Sequence, residues 1–411
     1  MRLRLFPLCL LSSACGAAGG GPGGAPILAD PVTSKYACTE AQAMRDLHPP
    51  FWGRTHGLAA MGAGMLLGRV ETDDPFGLPA SQRLIVSAVT ATGAMENRFV
   101  RTYSSTNTVS FLGLAATDRA WALAFAENFR LQILLSDGGT IVQRDLSERV
   151  EELQQAQILA RPEGWLLVWA SAYSTQNPAT IWALTLDAQG HPVGGAQPIF
   201  TQPEHGYPLR FGLAAGGLLI AEQSAQGWAL RFLAQQNSGA WSAPALVRSY
   251  ATQAASFAAS SPALLADGDG FVAAWSESTP FGAETTSAIV WLAKLDAAGA
   301  VIAGPRPLTE RTESVEDVEP ELFAFRGDTG LLWSRGAVIY ICGGCVPDHD
   351  LRLVILSSAL HPLSTVLPLP FAGTGGLLSH TAAAAGPSIA IASNIQLHVT
   401  YQPALGFARC D

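Results

Sequence analysis

Residues 181–199, IWALTLDAQGHPVGGAQPI, can be laid without a gap over residues 290–308, VWLAKLDAAGAVIAGPRPL. Seven of the nineteen positions are identical, among them Trp182 with Trp291, Asp187 with Asp296 and Gly190 with Gly299. Just upstream, EGWLLVWAS (163–171) matches DGFVAAWSE (269–277), so one unit occurs twice, 106 to 109 residues apart. A third copy lies between them, in LAAGGLLIAEQS (213–224) and WALRFLAQQNSGAW (228–241). Weaker copies precede them at 59–95 and 114–142 and follow them at 322–363 and 382–401. The turn glycines Gly93, Gly139, Gly190, Gly239 and Gly299 are spaced 46, 51, 49 and 60 residues apart. A period near 50 residues is that of a repeat architecture rather than of several unrelated domains.

Within a unit the apolar runs are short. In the fifth they are PALLA (262–266), FVAAWSE (271–277), AIVWLAKLD (288–296) and AVIAGPRPL (300–308). They are rich in Val, Ile, Leu and Trp, bounded by Gly, Asp and Pro, and too short for helices, so they read as strands. Four strands per unit, repeated about seven times, predict an all-β fold: a β-propeller of seven four-stranded blades whose ring closes near the termini. The stretch ADGDGF (266–271) carries Asp267 and Asp269 between glycines. Its counterparts in other units, RPEG (161–164) and AAGG (214–217), lack paired carboxylates, so it reads as a turn between two strands and not as a calcium loop.

Composition narrows the function classes. Of 411 residues 48% are hydrophobic and 14% charged, which is too apolar for disorder and ample for a large core. The net charge of −9 makes nucleic acid an unexpected partner. The only lysines are Lys35 and Lys294, neither in a Gly-x-x-x-x-Gly-Lys loop, so a P-loop is absent. No cofactor motif and no metal site is expected. The Gly-x-Ser-x-Gly elbow and the His-Glu-x-x-His helix are missing as well.

The chain opens with Arg2 and Arg4, an apolar run over 5–11, then small residues. That is a secretory signal rather than a membrane span, which needs about 20 apolar residues. The sequence LSSAC (11–15) resembles a bacterial lipobox, and the resemblance implies lipidation of Cys15. It departs from that pattern in placing Leu11 one position early and Ser12 where leucine is usual. The expected organisation is a signal segment over 1–15, a Gly-rich tether over 16–35 and one propeller domain over 36–411. The blade pattern across residues 57–410 resembles that of exported bacterial β-propeller lipoproteins. The resemblance implies attachment to the cell envelope by a lipid anchor only, with release as the other outcome of export.

Export makes the remaining cysteines candidates for disulfides. Cys38, Cys342, Cys345 and Cys410 allow three pairings, of which Cys38–Cys410 with Cys342–Cys345 is the simplest. The first would fasten the ring. The second lies in ICGGCVPDHD (341–350), where a metal held by Cys342, Cys345, His349 and Asp348 or Asp350 is the competing reading.

In a propeller the long loops share one face, and loops on a rigid scaffold are where binding residues gather. Those loops put forward Asp73, Asp74, Tyr173, Glu277, Asp348 and His349. The acidic run ESVEDVEPE (313–321) reads as a solvated loop, and His56, His205 and His380 have no partner spacing. The expected function is a non-catalytic module that recognises protein or glycan through this face. The alternative is a hydrolase or lyase acting on an extracellular polymer, with carboxylates such as Asp73, Asp74 or Glu277 as its acids. The intact native mass tests the compartment: the expected result is a diacylglycerol adduct on Cys15 with four hydrogens missing from the thiols.

Overall fold

The computed structural model describes residues 25–46, 56–72, 81–149, 153–171, 178–204, 209–225, 227–236, 238–250, 256–257, 261–281, 285–312, 315–337, 349–369, 376–397 and 400–411. Among them the structure is all strand apart from turns and one short 3-10 helix, Ile27–Ala29. Five four-stranded antiparallel sheets stand separately, formed by the strands within 56–104, 109–149, 153–201 and 209–250 and by a fifth that joins the two ends of the chain. Their arrangement is that of a β-propeller.

The strand count per unit is as expected, but seven separate blades are not. The strands of 263–307 and 315–369 belong to one nine-stranded sheet. The reason is strand length. Gly270–Phe281 and Thr285–Leu295 run on past the apolar repeat, and Val315–Phe325 comes alongside. A single parallel bridge, Ala288 to Glu316, then fuses the two units, and the Ser287 hydroxyl adds a hydrogen bond to the Val315 carbonyl at 3.2 Å.

The repeat that identified the fold owes its identities to one turn. The Asp187 carboxylate accepts the N–H groups of Gln189 and His191 at 2.9 and 2.8 Å. Asp296 does the same for Ala298 and Ala300, both at 2.9 Å. Gly190 and Gly299 take φ of +78° and +89°, a left-handed conformation that favours glycine. Asp267 and Gly270 are cross-strand partners in a tight turn, so ADGDGF is a turn; the Asp267 carboxylate also meets Lys294 at 2.9 Å.

The core lies between successive sheets. One apolar cluster joins Leu112, Ala124 and Ile133 to Trp165, Leu167 and Leu184 of the next unit. The clusters continue unit by unit, and Leu58, Met65 and Leu67 pack against Ala390, Leu405 and Phe407 to complete the circle. Trp169 and Trp275, which recur at one place in the repeat, are 5% and 0% exposed. At the axis the first strands of successive units touch, and Gly376–Ala385 returns to His56–Met61. They splay too far for a regular ladder, so glutamines reach across instead. Gln155 donates to the Phe211 carbonyl at 2.6 Å and accepts the Phe211 N–H at 3.0 Å, while Gln157 accepts from Leu213 at 2.9 Å. At Gly212 the approach is closest, since a Cβ there would lie 2.4 Å from the Pro262 carbonyl oxygen.

Ring closure is made by the N-terminal segment. Strand Cys38–Asp46 is the outer strand of the last sheet, paired antiparallel with Thr400–Cys410. Before it, residues 25–37 cross the outer edges of the two fused units. Ile27 is fully buried in the cluster of Val272, Leu292 and Trp333. Asp30 takes both Arg306 Nη atoms at 2.9 Å and His361 Nδ1 at 3.0 Å. Tyr36 donates to Asp328 at 2.7 Å and packs edge-on against Phe325. A disulfide links Cys38 and Cys410 across 372 residues, as the cysteine arithmetic led one to expect. Cys342 and Cys345, the 1–15 segment with Cys15 and residues 16–24 of the expected tether lie outside the described residues, whereas 25–35 of that tether pack on the fold. Replacing Cys38 and Cys410 by serine is expected to lower unfolding free energy by about 2–5 kcal/mol, measured by denaturant titration.

Candidate functional site

The inner strands surround an axial cavity of about 560 Å³. Its wall takes residues from seven strands: His56–Met61, Val109–Ala116, Leu153–Arg161, Leu209–Ala214, Ala263–Asp267, Val315–Phe325 and Gly376–Ala385. Gly57, Gln155, Arg210, Ser261 and Glu319 stand near where these strands begin. The chain enters from the previous unit at that end, and the links between second and third strands leave from it.

Most of the wall is aliphatic, glycine or amide. Arg210, from Leu209–Ala214, is one exception, and the other is a sector of carboxyls. Glu319 and Glu321 come from Val315–Phe325, and His380 and Thr381 from the neighbouring Gly376–Ala385. Two residues apart on one strand, the carboxyls line the same cavity, and the strand is bulged where Glu319 stands. Val318 pairs with Ser334 and Glu321 with Leu332, so Glu319 and Pro320 stand opposite Trp333 alone, one residue in excess. A bulge of this kind re-aims a side chain. Glu319 takes φ of +55° there, which for a residue with a Cβ costs on the order of 1–3 kcal/mol.

The electrostatics of this sector are governed by lost solvation. Burial alone pushes the Glu319 carboxyl up to about 8, although its side chain keeps 31% exposure into the cavity. Glu321 is raised to about 7 by burial, against which the Thr381 hydroxyl works with a long 3.5 Å hydrogen bond. His380 Nδ1 lies 3.8 Å from Glu319 Oε2, and the imidazole is 1% exposed. Glu319 Oε2 has no hydrogen-bond partner among the described residues. Two carboxylic acids that keep their protons near neutrality are equipped for general acid chemistry. Among the described residues no group of three or more His, Cys, Asp or Glu side chains is arranged to hold a metal.

The residues put forward from the sequence fall elsewhere. Asp73, Asp74, Tyr173 and Asp348 lie outside the described residues, and His349 opens strand His349–Leu356 with its backbone paired to Gly336. Glu277 is not on a loop: it sits within Gly270–Phe281 and is 1% exposed. It accepts the Trp275 indole N–H at 2.7 Å and meets Arg248 Nε, from the preceding unit, at 2.7 Å. Burial raises its carboxyl and Arg248 opposes the rise, so Glu277 joins two sheets instead of facing solvent. Asp317 repeats the theme, accepting from Trp333, Thr309 and Arg335 at 3.0, 2.6 and 3.3 Å. The acidic run 313–321, read as a loop, is largely strand. Its signal was available: V-E-D-V-E-P-E-L-F-A-F leads straight into the apolar inner-strand repeat.

No family model matches the chain, and no curated relative is similar to it. Solved structures share its shape at low identity. A prolyl endopeptidase aligns over 88% of this chain and 50% of its own, with a TM-score of 0.46 and 12% identity. An α-L-arabinanase of Penicillium chrysogenum, complexed with arabinobiose, aligns over 70% of this chain and 89% of its own (TM-score 0.42, 12% identity). A sialidase of Trypanosoma rangeli in complex with sialic acid aligns over 92% and 59% (TM-score 0.39, 9% identity). The chain thus spans half of the prolyl endopeptidase and 59% of the sialidase. Each of these structures is of an enzyme, but likeness at this level speaks for the fold alone; the expected non-catalytic module gives way to the alternative on a feature of this chain. The ground for the alternative within this chain is its own carboxyl sector.

The raised carboxyls have a consequence for stability. In the unfolded chain each would lose its proton near the ordinary value of 4.5, whereas the folded protein holds the Glu321 and Glu319 protons to about 7 and 8. Between those limits the folded state binds more protons, so stability falls as pH rises. Melting temperature is expected to decline from pH 5 to pH 8, and less steeply in Glu319→Gln and Glu321→Gln; calorimetry across that range reads the effect.

Proposed function

We propose that this protein is a hydrolase acting on an extracellular polymer of the glycan class, cleaving it at the axial cavity. The observation that carries the reading is the pair Glu319 and Glu321, held in one cavity with both carboxyls raised to near neutrality or above. Glu319, with the higher value and open to the cavity, gives its proton to the leaving oxygen as the glycosidic bond breaks. Glu321, which ionises first, takes the proton of the attacking water. A pair of carboxyl groups whose environments set them apart is the usual equipment for this chemistry.

The proposed setting is outside the cytoplasm. The Cys38–Cys410 disulfide supports it, as does the signal-like 1–15 segment. We also propose that the nine-stranded sheet counts as two blades, for seven in all. Its support is the cavity wall, to which Ala263–Asp267 and Val315–Phe325 each contribute as the other inner strands do.

The test is turnover on a panel of envelope and extracellular polysaccharides. Glu319→Gln is expected to lower kcat by about 100-fold or more with substrate binding retained. Wild-type activity is expected to fall above about pH 8, where Glu319 ionises. Wild-type rates in both Glu319→Gln and Glu321→Gln, or no turnover of any glycan, would overturn the reading.

A further inference from the structure

Glu319 has a neighbour that the proposed reaction leaves unused. His380 comes from a different unit, and its imidazole is sealed, with 1% of the side chain exposed, while the carboxyl beside it opens to the cavity. The 3.8 Å from His380 Nδ1 to Glu319 Oε2 is too long for a hydrogen bond and within reach of an ion pair. Of the two groups, only the carboxyl opens to the cavity, so the cavity exchanges protons with the imidazole through Glu319. The left-handed bulge at Glu319 aims that carboxyl at both.

We infer that Glu319 and His380 hold one proton between them, and that His380 is the positioning residue that keeps this proton at the site for Glu319 to donate. In one form the proton is on Glu319 and the imidazole is neutral. In the other the Oε2–H bond has broken and an Nδ1–H bond has formed, leaving carboxylate beside imidazolium. The proton passes once the two side chains close from 3.8 Å to hydrogen-bond distance, and the pair is neutral in both forms. The charged form draws the two groups together and repays the solvation that a lone carboxylate would lack here. Among the described residues, the other charged or titratable side chains on the wall are Glu321, on the same strand, and Arg210, from Leu209–Ala214. Titration of the pair is therefore shared and belongs to neither residue alone.

This rests on the reading of Glu319 as proton donor, and the experiment separates the two. Imidazole nitrogen shifts of the full chain are followed by NMR against pH in the wild type and in Glu319→Gln. The His380 midpoint is expected to fall by about one pH unit or more when the carboxyl is removed. Reciprocally, His380→Gln is expected to reduce kcat about tenfold, hold KM and move the basic limb of the pH profile. A His380 midpoint unmoved in Glu319→Gln, with hydrolysis still lost there, would overturn the shared proton and leave the proton-donor reading standing. A coupled titration in a chain that cleaves no glycan would overturn that reading and keep the pair.

Discussion

Everything in this molecule depends on closing a circle of sheets. Each sheet is apolar on both faces and finds cover only from its two neighbours, so a gap anywhere would expose two faces at once. The contact of Leu58 and Met65 with Leu405 and Phe407 is therefore worth more than its area, because every other inter-sheet cluster presupposes it. It is secured by strand Cys38–Asp46 on the edge of the last sheet and by a covalent bond at that strand's first residue. Residues 25–37 extend the fastening over two further units, through Ile27, Asp30 and Tyr36.

The circle also creates the cavity. Sheets arranged radially crowd at the axis, and Gly57, Gly113 and Gly212 mark where inner strands or their side chains come too close for a Cβ. The strands nevertheless stay too splayed to bond regularly, which leaves an axial space whose wall belongs to every unit. Charged groups there lose solvent from most directions and gain few partners. That is why Glu319 and Glu321 retain their protons; burial raises Glu277 and Asp317 as well, but each of those is given an indole N–H and a guanidinium that oppose the rise. Carboxyls of similar burial thus keep different company: Glu277 and Asp317 are met by several donors, whereas Glu319 has His380 at 3.8 Å and Glu321 one long hydrogen bond from Thr381.

What could be read from the sequence was what is local or arithmetically forced. Asp187 and Gly190, like Asp296 and Gly299, announce their turn because the side chain and the φ it needs lie within four residues. Cys38 and Cys410 announce closure because a ring must join near its ends. Glu277 misled, because the Ser- and Thr-rich stretch after Trp275 looks like loop while the strands run through it to Phe281. The fusion of two units into one sheet depends on that same overrun. Glu319 and His380 are 61 positions apart on different units, and only a bulge and the ring bring them together. Neither carries a local spacing that marks it.

The fastening has a consequence for how the chain is made. Synthesis delivers Cys38 and its strand first and their partner, Thr400–Cys410, last. For the whole interval the opening strand has no ladder to join, and its thiol is 372 residues from its proper mate. The successive sheets can pack on one another as they emerge, but the first and last keep a bare face until the final residues arrive. Long-range pairings of this kind form late, and unpaired edges invite the wrong neighbour. A nascent chain of this protein is thus an incomplete arc with an apolar face at each end, and a second such arc would be its natural wrong partner.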